Sequence, residues 1–364
     1  MRTSKTVSVL AKLAVAIAFV CACNAVLTFA LEPYGSKSEL SWDEYSKLEA
    51  MDTLVIGTSL TEAAINPAVF DEACGTTTFN LGTPYQHLEE SLVGIRAAYE
   101  DFGIKRVVLG ISCSSLTGKD APSPETSFLK QWRRHGHGNE ALAVWGEMLF
   151  AHGAASTADS LNWLAPWISN HTTFRPANIV QNMKNKLEGE DLRVAAGQLD
   201  EGWMYVNAGH GAQEKTMSPN SPSVHRYVDA EVAEGAADAI NPGRRETFIE
   251  IVDYCASHGI DLMVASMPMP AHNIVDTDAG YVRVMSEFAQ LARERNVEFY
   301  DFNCVSKNVF ETLPDYYADN THLNVGGAAV FSKAFAHPTS SGWPGMRLIL
   351  LSSPMKKQSH RWIR

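Results

Sequence analysis

The sequence predicts an α/β fold: a three-layer α/β/α sandwich around a parallel sheet of about five strands, with a helical insertion and an N-terminal transmembrane helix. Three observations predict it. Short apolar or β-branched runs occur at residues 53–56, 77–80, 106–111, 261–266 and 297–301. Helical patterns follow or separate most of them, at residues 89–102, 243–258, 280–295 and 325–335. An apolar stretch, residues 13–31, stands near the start. Strands alternating with helices pair in parallel, and their continuous apolar character marks burial on both faces of the sheet.

Residues 13–31 are apolar apart from Asn24 and Thr28. That is about 20 residues, enough to cross roughly 30 Å of hydrocarbon as a helix. Arg2, Lys5 and Lys12 precede the run, while Glu32, Glu39, Asp43 and Glu44 follow it. A cationic flank stays in the cytoplasm, so everything after Leu31 is expected outside. Residues 1–35 thus read as a signal anchor in the lipid bilayer, and the protein as a single-pass cell-membrane protein with an extracytoplasmic body. A cleaved leader is the rival reading. Thr28-Phe29-Ala30 offers a small-residue cleavage site and Val20-Cys21-Ala22-Cys23 faintly resembles a lipoprotein box. The length of the apolar run favours an uncleaved anchor.

The chain has 364 residues, 45% of them hydrophobic and 20% charged, an ordinary balance for a folded protein with a sizeable core. A formal net charge of -11 and the lack of a basic face before the last stretch of the chain exclude nucleic acid as a partner. Outside the apolar stretch, Cys74, Cys113, Cys255 and Cys304 are dispersed without CxxC or Cys/His zinc spacing. Disulfides and buried thiols both remain open.

Between residues 115 and 241 the alternation lapses into Trp-, His- and Asn-rich sequence, with helical stretches near 139–150 and 179–187. The strand pattern resumes afterwards, so this stretch reads as an insertion in one body, residues 36–336. Insertions at the rim of such a sheet commonly build a cleft or a lid. Residues 337–364 change character to an irregular tail with a basic end.

The chemistry lies at the strand ends, where ligands of open α/β sheets bind. Leu54-Val55-Ile56-Gly57-Thr58-Ser59 reads as a strand, a tight turn and a serine at a helix start. A serine hydroxyl is a weak nucleophile that needs a base and a place for the oxyanion, and Ser59 at a helix start offers its own N–H for the latter. Taken alone, Ser59 equally describes a helix cap. His322 is the natural base, and Asp319, three residues before it, is placed to orient the imidazole from the same loop. Gly82 follows the second strand and Ser112 the third.

The order Ser59, Asp319, His322 across a five-strand α/β chain resembles the SGNH/GDSL hydrolase superfamily. More narrowly, Val55-Ile56-Gly57-Thr58-Ser59 with Ile65-Asn66-Pro67, then Phe79-Asn80-Leu81-Gly82, then Tyr317-Ala318-Asp319-Asn320-Thr321-His322-Leu323-Asn324 with Gly326-Gly327, resembles its membrane-anchored envelope branch, which includes DltD-like proteins. The resemblance covers roughly residues 53–110 and 261–336 and leaves out the insertion. It implies a flavodoxin-like sandwich, with Ser59 as nucleophile, Asp319 as orienting acid, His322 as general base and Gly82 as backbone oxyanion donor. One departure stands out. The superfamily's third block supplies an asparagine to the oxyanion hole, whereas this chain has Gly110-Ile111-Ser112-Cys113, with Ser112 as the replacement donor.

The expected function is therefore that of a serine esterase or O-acyltransferase acting on an acylated glycan or teichoic-type envelope polymer, with a membrane O-acyltransferase as a potential partner. No metal or organic cofactor is expected. His135-Gly136-His137 lacks a companion ligand at zinc spacing, and no Gly-x-Gly-x-x-Gly or Walker loop is present. Met267-Pro268-Met269-Pro270 reads as a rigid apolar loop. Trp132, Trp145, Trp163, Trp167 and Trp203 read as core more readily than as a sugar platform. The competing expectation is a catalytically impaired scaffold that keeps the fold within an envelope acylation assembly; the altered third block favours it, and the intact serine, acid and histidine oppose it.

Overall fold

The computed structural model describes residues 2–117, 128–151, 165, 167–170, 176–197, 203–217, 240–270, 281–303 and 309–340. The strands are β1 (Thr53–Ile56), β2 (Thr78–Asn80), β3 (Arg106–Ile111), β4 (Met204–Asn207), β5 (His210–Ala212), β6 (Asp261–Ser266) and β7 (Glu298–Asp301). Five of them form one sheet in the order β2-β1-β3-β6-β7. Every pairing in it is parallel, with Leu54 opposite Phe79 and Val107, and Val264 opposite Leu109 and Phe299. All five correspond to the apolar runs of the sequence, two of them starting one residue later than expected.

Burial explains the unbroken apolar character of these strands. Leu54, Val55, Ile56, Val107, Val108, Leu109, Val264 and Ala265 are fully buried, each large one stabilising the fold by about 1.5–3 kcal/mol over its exposed state. The helix Leu88–Phe102 packs on β1 and on the helix Pro242–His258, and the helix Tyr281–Glu294 packs on β7. The last helix, Val325–Ser340, lies on Ser59–Ala64 and Pro67–Cys74. Its Phe331 and Phe335 join Phe302, Phe310 and Phe70 in a cluster of tilted and edge-on rings. This helix continues past Ala336 into the stretch expected to be an irregular tail; residues 341–364 lie outside the described residues.

From β1 the chain steps outward to β2 and then returns across β1 to β3. The order of the sheet reverses there, and the crevice beyond the carboxyl ends of β1 and β3 is where such sheets bind ligands. Two glycines let the backbone close up at this point. A Cβ on Gly110 would lie 1.8 Å from Thr61 Oγ1, and one on Gly57 would lie 2.5 Å from the Gly110 carbonyl oxygen. Neither position admits a side chain.

Between β3 and β6 the chain carries the helices Phe128–Arg134, Gly138–Ala151, Trp167–Asn170, Pro176–Glu188 and Leu192–Gly197, and then an antiparallel hairpin of β4 and β5. The helices were expected in part; the hairpin was not. It is tied to the sheet where Asn80 N–H donates to the Ala208 carbonyl, 2.9 Å.

The helix Arg2–Leu31 contains one segment, Val9–Leu31, long and apolar enough to cross a membrane. Val15, Ile17, Phe19 and Val20 on it are each more than half exposed. Its end is strapped to the body. The Asn182 amide donates to the carbonyls of Ala30 (3.0 Å) and Glu32 (2.9 Å) and accepts from Tyr34 N–H at 2.9 Å. Glu32 pairs with Lys130 at 2.7 Å and with Arg134 at 2.5 Å. Burial pushes the Glu32 carboxyl up, but the surrounding cations outweigh it and hold the group below the usual carboxylate range. Asn24, the polar interruption of the apolar run, accepts from Trp167 Nε1 at 2.9 Å.

Candidate active site

Ser59 is the first residue of the helix Ser59–Ala64, and the cap before it is Thr58, whose hydroxyl accepts from Leu60 N–H at 3.3 Å. Thr58 therefore does the capping that the sequence left open for Ser59, and the Ser59 hydroxyl is released for another partner. That partner is His322. Ser59 Oγ lies 2.9 Å from His322 Nε2.

The loop that carries His322 is held by its own backbone. Tyr317 and Leu323 form an isolated antiparallel bridge, Ala318 N–H donates to the His322 carbonyl (2.9 Å), and Asn324 N–H donates to that of Tyr316 (2.9 Å). Inside this turn Asp319 Oδ1 accepts from the N–H groups of Thr321 (2.7 Å) and His322 (2.8 Å), which fixes the carboxylate. Both its oxygens then lie 3.1 Å from His322 Nδ1. Asn324 ends the loop by capping the next helix, accepting from Gly327 N–H at 2.8 Å.

A carboxylate on Nδ1 favours the tautomer with its proton there, leaving Nε2 to accept from the Ser59 hydroxyl. Burial pushes the Asp319 carboxyl up, but the hydrogen bond and charge of His322, with the two backbone N–H groups, outweigh it and hold Asp319 below the usual carboxylate range. Asp319 is thus held toward its ionised form.

The two remaining sequence-predicted residues have partners of their own. Gly82 packs against the Ser59 helix, where a Cβ would meet Glu62 N at 2.7 Å, and its N–H donates to Asn80 Oδ1 at 2.9 Å. Ser112 caps the helix Cys113–Thr117: its Oγ accepts from Ser115 N–H (3.1 Å) and touches Ser114 Oγ (3.1 Å), while its N–H donates to Ser115 Oγ (2.9 Å). Ser59 N–H, at the helix start, has no hydrogen-bond partner among the described residues. It is an open backbone donor beside the Ser59 hydroxyl.

Asn80 is the residue whose part the sequence did not disclose. Its amide donates to the carbonyls of Thr61 (3.1 Å) and Ile65 (2.9 Å), closing the end of the Ser59 helix, while its oxygen holds Gly82. One buried side chain thus ties serine, helix and second strand together. An asparagine at the end of a buried strand was the available signal.

Two further contacts come from outside the expected set. The Trp203 ring meets His322 edge-on, with centroids 4.9 Å apart at 88°. Glu62, one helical turn beyond Ser59, is buried; burial pushes its carboxyl above the usual range against the opposing pull of Lys37 and His322. The other candidates of the sequence are elsewhere. His137 stacks on Trp132 and His135 lies against Trp42, while Met267 and Met269 are in the core. Among the described residues no group of three or more His, Cys, Asp and Glu side chains converges as a metal site would require.

Compared with protein-family models and with curated proteins, the chain finds no match in either.

Proposed function

We propose that the protein is a serine esterase or O-acyltransferase of the SGNH type, resembling the membrane-anchored envelope branch, whose sheet and helices form a flavodoxin-like α/β/α sandwich with the 115–241 insertion at its rim. The observation that carries the reading is the file Ser59 Oγ, His322 Nε2 and Nδ1, and Asp319, with contacts of 2.9 and 3.1 Å. Such a file of side chains from opposite ends of the chain supports activation of a serine.

In the proposed reaction His322 Nε2 takes the Ser59 proton as Oγ bonds to the ester carbonyl carbon. Asp319 steadies the imidazolium, and Ser59 N–H donates to the developing oxyanion. Collapse expels the alcohol, which leaves with the proton from His322, and the acyl group stays on Ser59. Water or an acceptor hydroxyl then attacks the acyl-enzyme, giving its proton to His322. The acyl group departs as an acid or a new ester, and Ser59 recovers its proton. The choice between hydrolysis and transfer rests on how well the cleft excludes water. An extracytoplasmic body held at the end of a membrane helix suits an acylated envelope glycan or teichoic-type polymer as substrate, with a membrane O-acyltransferase supplying acyl groups.

A second reading, a catalytically impaired scaffold in such an assembly, has one observation in its favour. The Gly82 N–H is already donated to Asn80 Oδ1. Loss of one oxyanion donor costs about 2.7–4 kcal/mol of transition-state stabilisation. A fluorophosphonate probe applied to the wild type and to Ser59→Ala separates the two. The enzyme reading expects labelling that the substitution abolishes; labelling equal in both proteins, or absent from both, favours the scaffold.

A further inference from the structure

Lys37 opens the helix Lys37–Tyr45, six residues beyond the end of the membrane-type helix at Leu31. Its ammonium pairs with Glu62 Oε2 at 2.7 Å and lies over the Trp203 ring, 4.3 Å from the centroid. Trp203 in turn meets His322 edge-on. Three segments distant in sequence therefore converge on one imidazole: the exit of the N-terminal helix, the helix of Ser59, and the lead-in to the β4–β5 hairpin. Both members of the ion pair are largely shielded, with side-chain exposures of 14% for Lys37 and 3% for Glu62. A shielded pair of this kind is costly to break from one side, because the charge left behind has no solvent to face.

We propose that Lys37, Glu62 and Trp203 are positioning residues for His322, setting its ring orientation and its charge, so that the basicity of the site depends on the segment that emerges from the N-terminal helix. The inference rests on the role given to His322 above. Asp319 from its own loop contacts that imidazole, Glu62 from the Ser59 helix interacts with it electrostatically, Lys37 stands behind Trp203, and His210 from β5 lies against the Glu62 backbone. His210 Nδ1 contacts the Glu62 carbonyl at 2.7 Å, and burial holds this imidazole down at about 4, so it is neutral in the working range. In this proposal Glu62 and Lys37, held as an ion pair, act as opposing charges that offset one another beside His322. Trp203 is the wall that keeps the ring turned toward Ser59 and excludes water from that side.

The offset has a testable sign. In Glu62→Gln the ammonium of Lys37 is left without its partner behind the Trp203 ring and disfavours the imidazolium. The titration of His322 then moves to lower pH by roughly half to one unit. In Lys37→Met/Glu62→Gln both charges are gone and the titration returns to its wild-type position. Lys37→Arg keeps the charge and keeps the wild-type titration.

The experiment is an NMR titration of histidine-labelled full-length protein in detergent micelles, with the His322 resonance assigned by His322→Gln. Melting temperatures confirm that each variant folds, and p-nitrophenyl acetate hydrolysis is followed over the same pH range. The inference expects the downward shift in Glu62→Gln, its reversal in the double variant, and an acid limb of kcat/KM that moves with it. A His322 titration unchanged in Glu62→Gln, or a shift that the double variant does not reverse, overturns it. If the titration moves as expected while the wild type neither hydrolyses the ester nor takes a fluorophosphonate at Ser59, the acyl-transfer reading falls and the positioning role stands.

Discussion

Ser59 Oγ and His322 Nε2 lie 2.9 Å apart although 263 residues separate them in the chain. The sheet makes this meeting possible. Ser59 leaves the carboxyl end of β1 at the point where the strand order reverses, and the last helix, packed on the Ser59 helix, brings the His322 loop to the same rim. A few groups hold this contact.

If the triad acts as a unit, its members fail together. Ser59→Ala and His322→Gln should each lower the rate of ester turnover by about 10³-fold or more, and the double variant should be little worse than either single one. Asp319→Asn should also lose orders of magnitude, because the amide can hold the ring in the wrong tautomer. Steady-state kinetics on a chromogenic ester checks all four; strictly additive losses would contradict a concerted site.

Asn80 gives a prediction about stability. Asn80→Ala removes the donors to the Thr61 and Ile65 carbonyls and the acceptor of Gly82 N–H, all of them buried. Leaving such groups unsatisfied should cost about 2–4 kcal/mol in urea unfolding. Activity should fall further than stability alone explains, since Ser59 loses its fixed helix.

The buried His210 predicts a pH dependence. Its folded-state value, held down at about 4 by burial, lies below the ordinary unfolded value near 6.5. Between those values the unfolded chain binds the extra proton, so stability rises with pH through that window and is lost as pH falls from about 6.5 toward about 4. The contribution reaches ~3 kcal/mol at most. Melting temperatures measured from pH 4 to 8 should show a steeper acid slope for the wild type than for His210→Gln.

The strap at the end of the N-terminal helix predicts a protease phenotype. Asn182→Leu removes hydrogen bonds to Ala30, Glu32 and Tyr34. Limited proteolysis should then cut between residues 31 and 37 faster than in the wild type, with the body left intact; an unchanged cleavage rate would show that the strap contributes little.

What was legible in the sequence follows from how each feature is encoded. The five strands were, because burial on both faces writes itself as unbroken β-branched runs such as Leu54-Val55-Ile56. The meeting of Ser59, Asp319 and His322 was also legible, since their residue types and order suggested one constellation. The β4–β5 hairpin was not: its strands are four and three residues long, and Met204–Asn207 is partly exposed, so no period stands out. The approach of Lys37 to Glu62 and of Trp203 to His322 depends on how distant segments dock, for which neighbouring residues hold no signal. Gly82 shows the limit of reading by residue type. Its place after the second strand was expected, but its packing on the serine helix and the hydrogen bond from its N–H to Asn80 were not.

The most direct measurement is peptide mass mapping after full-length protein reacts with a fluorophosphonate at neutral pH. The account predicts a single adduct on the peptide containing Ser59, formed in the wild type and strongly slowed in His322→Gln. No adduct on Ser59, or one that forms equally fast without His322, would contradict it.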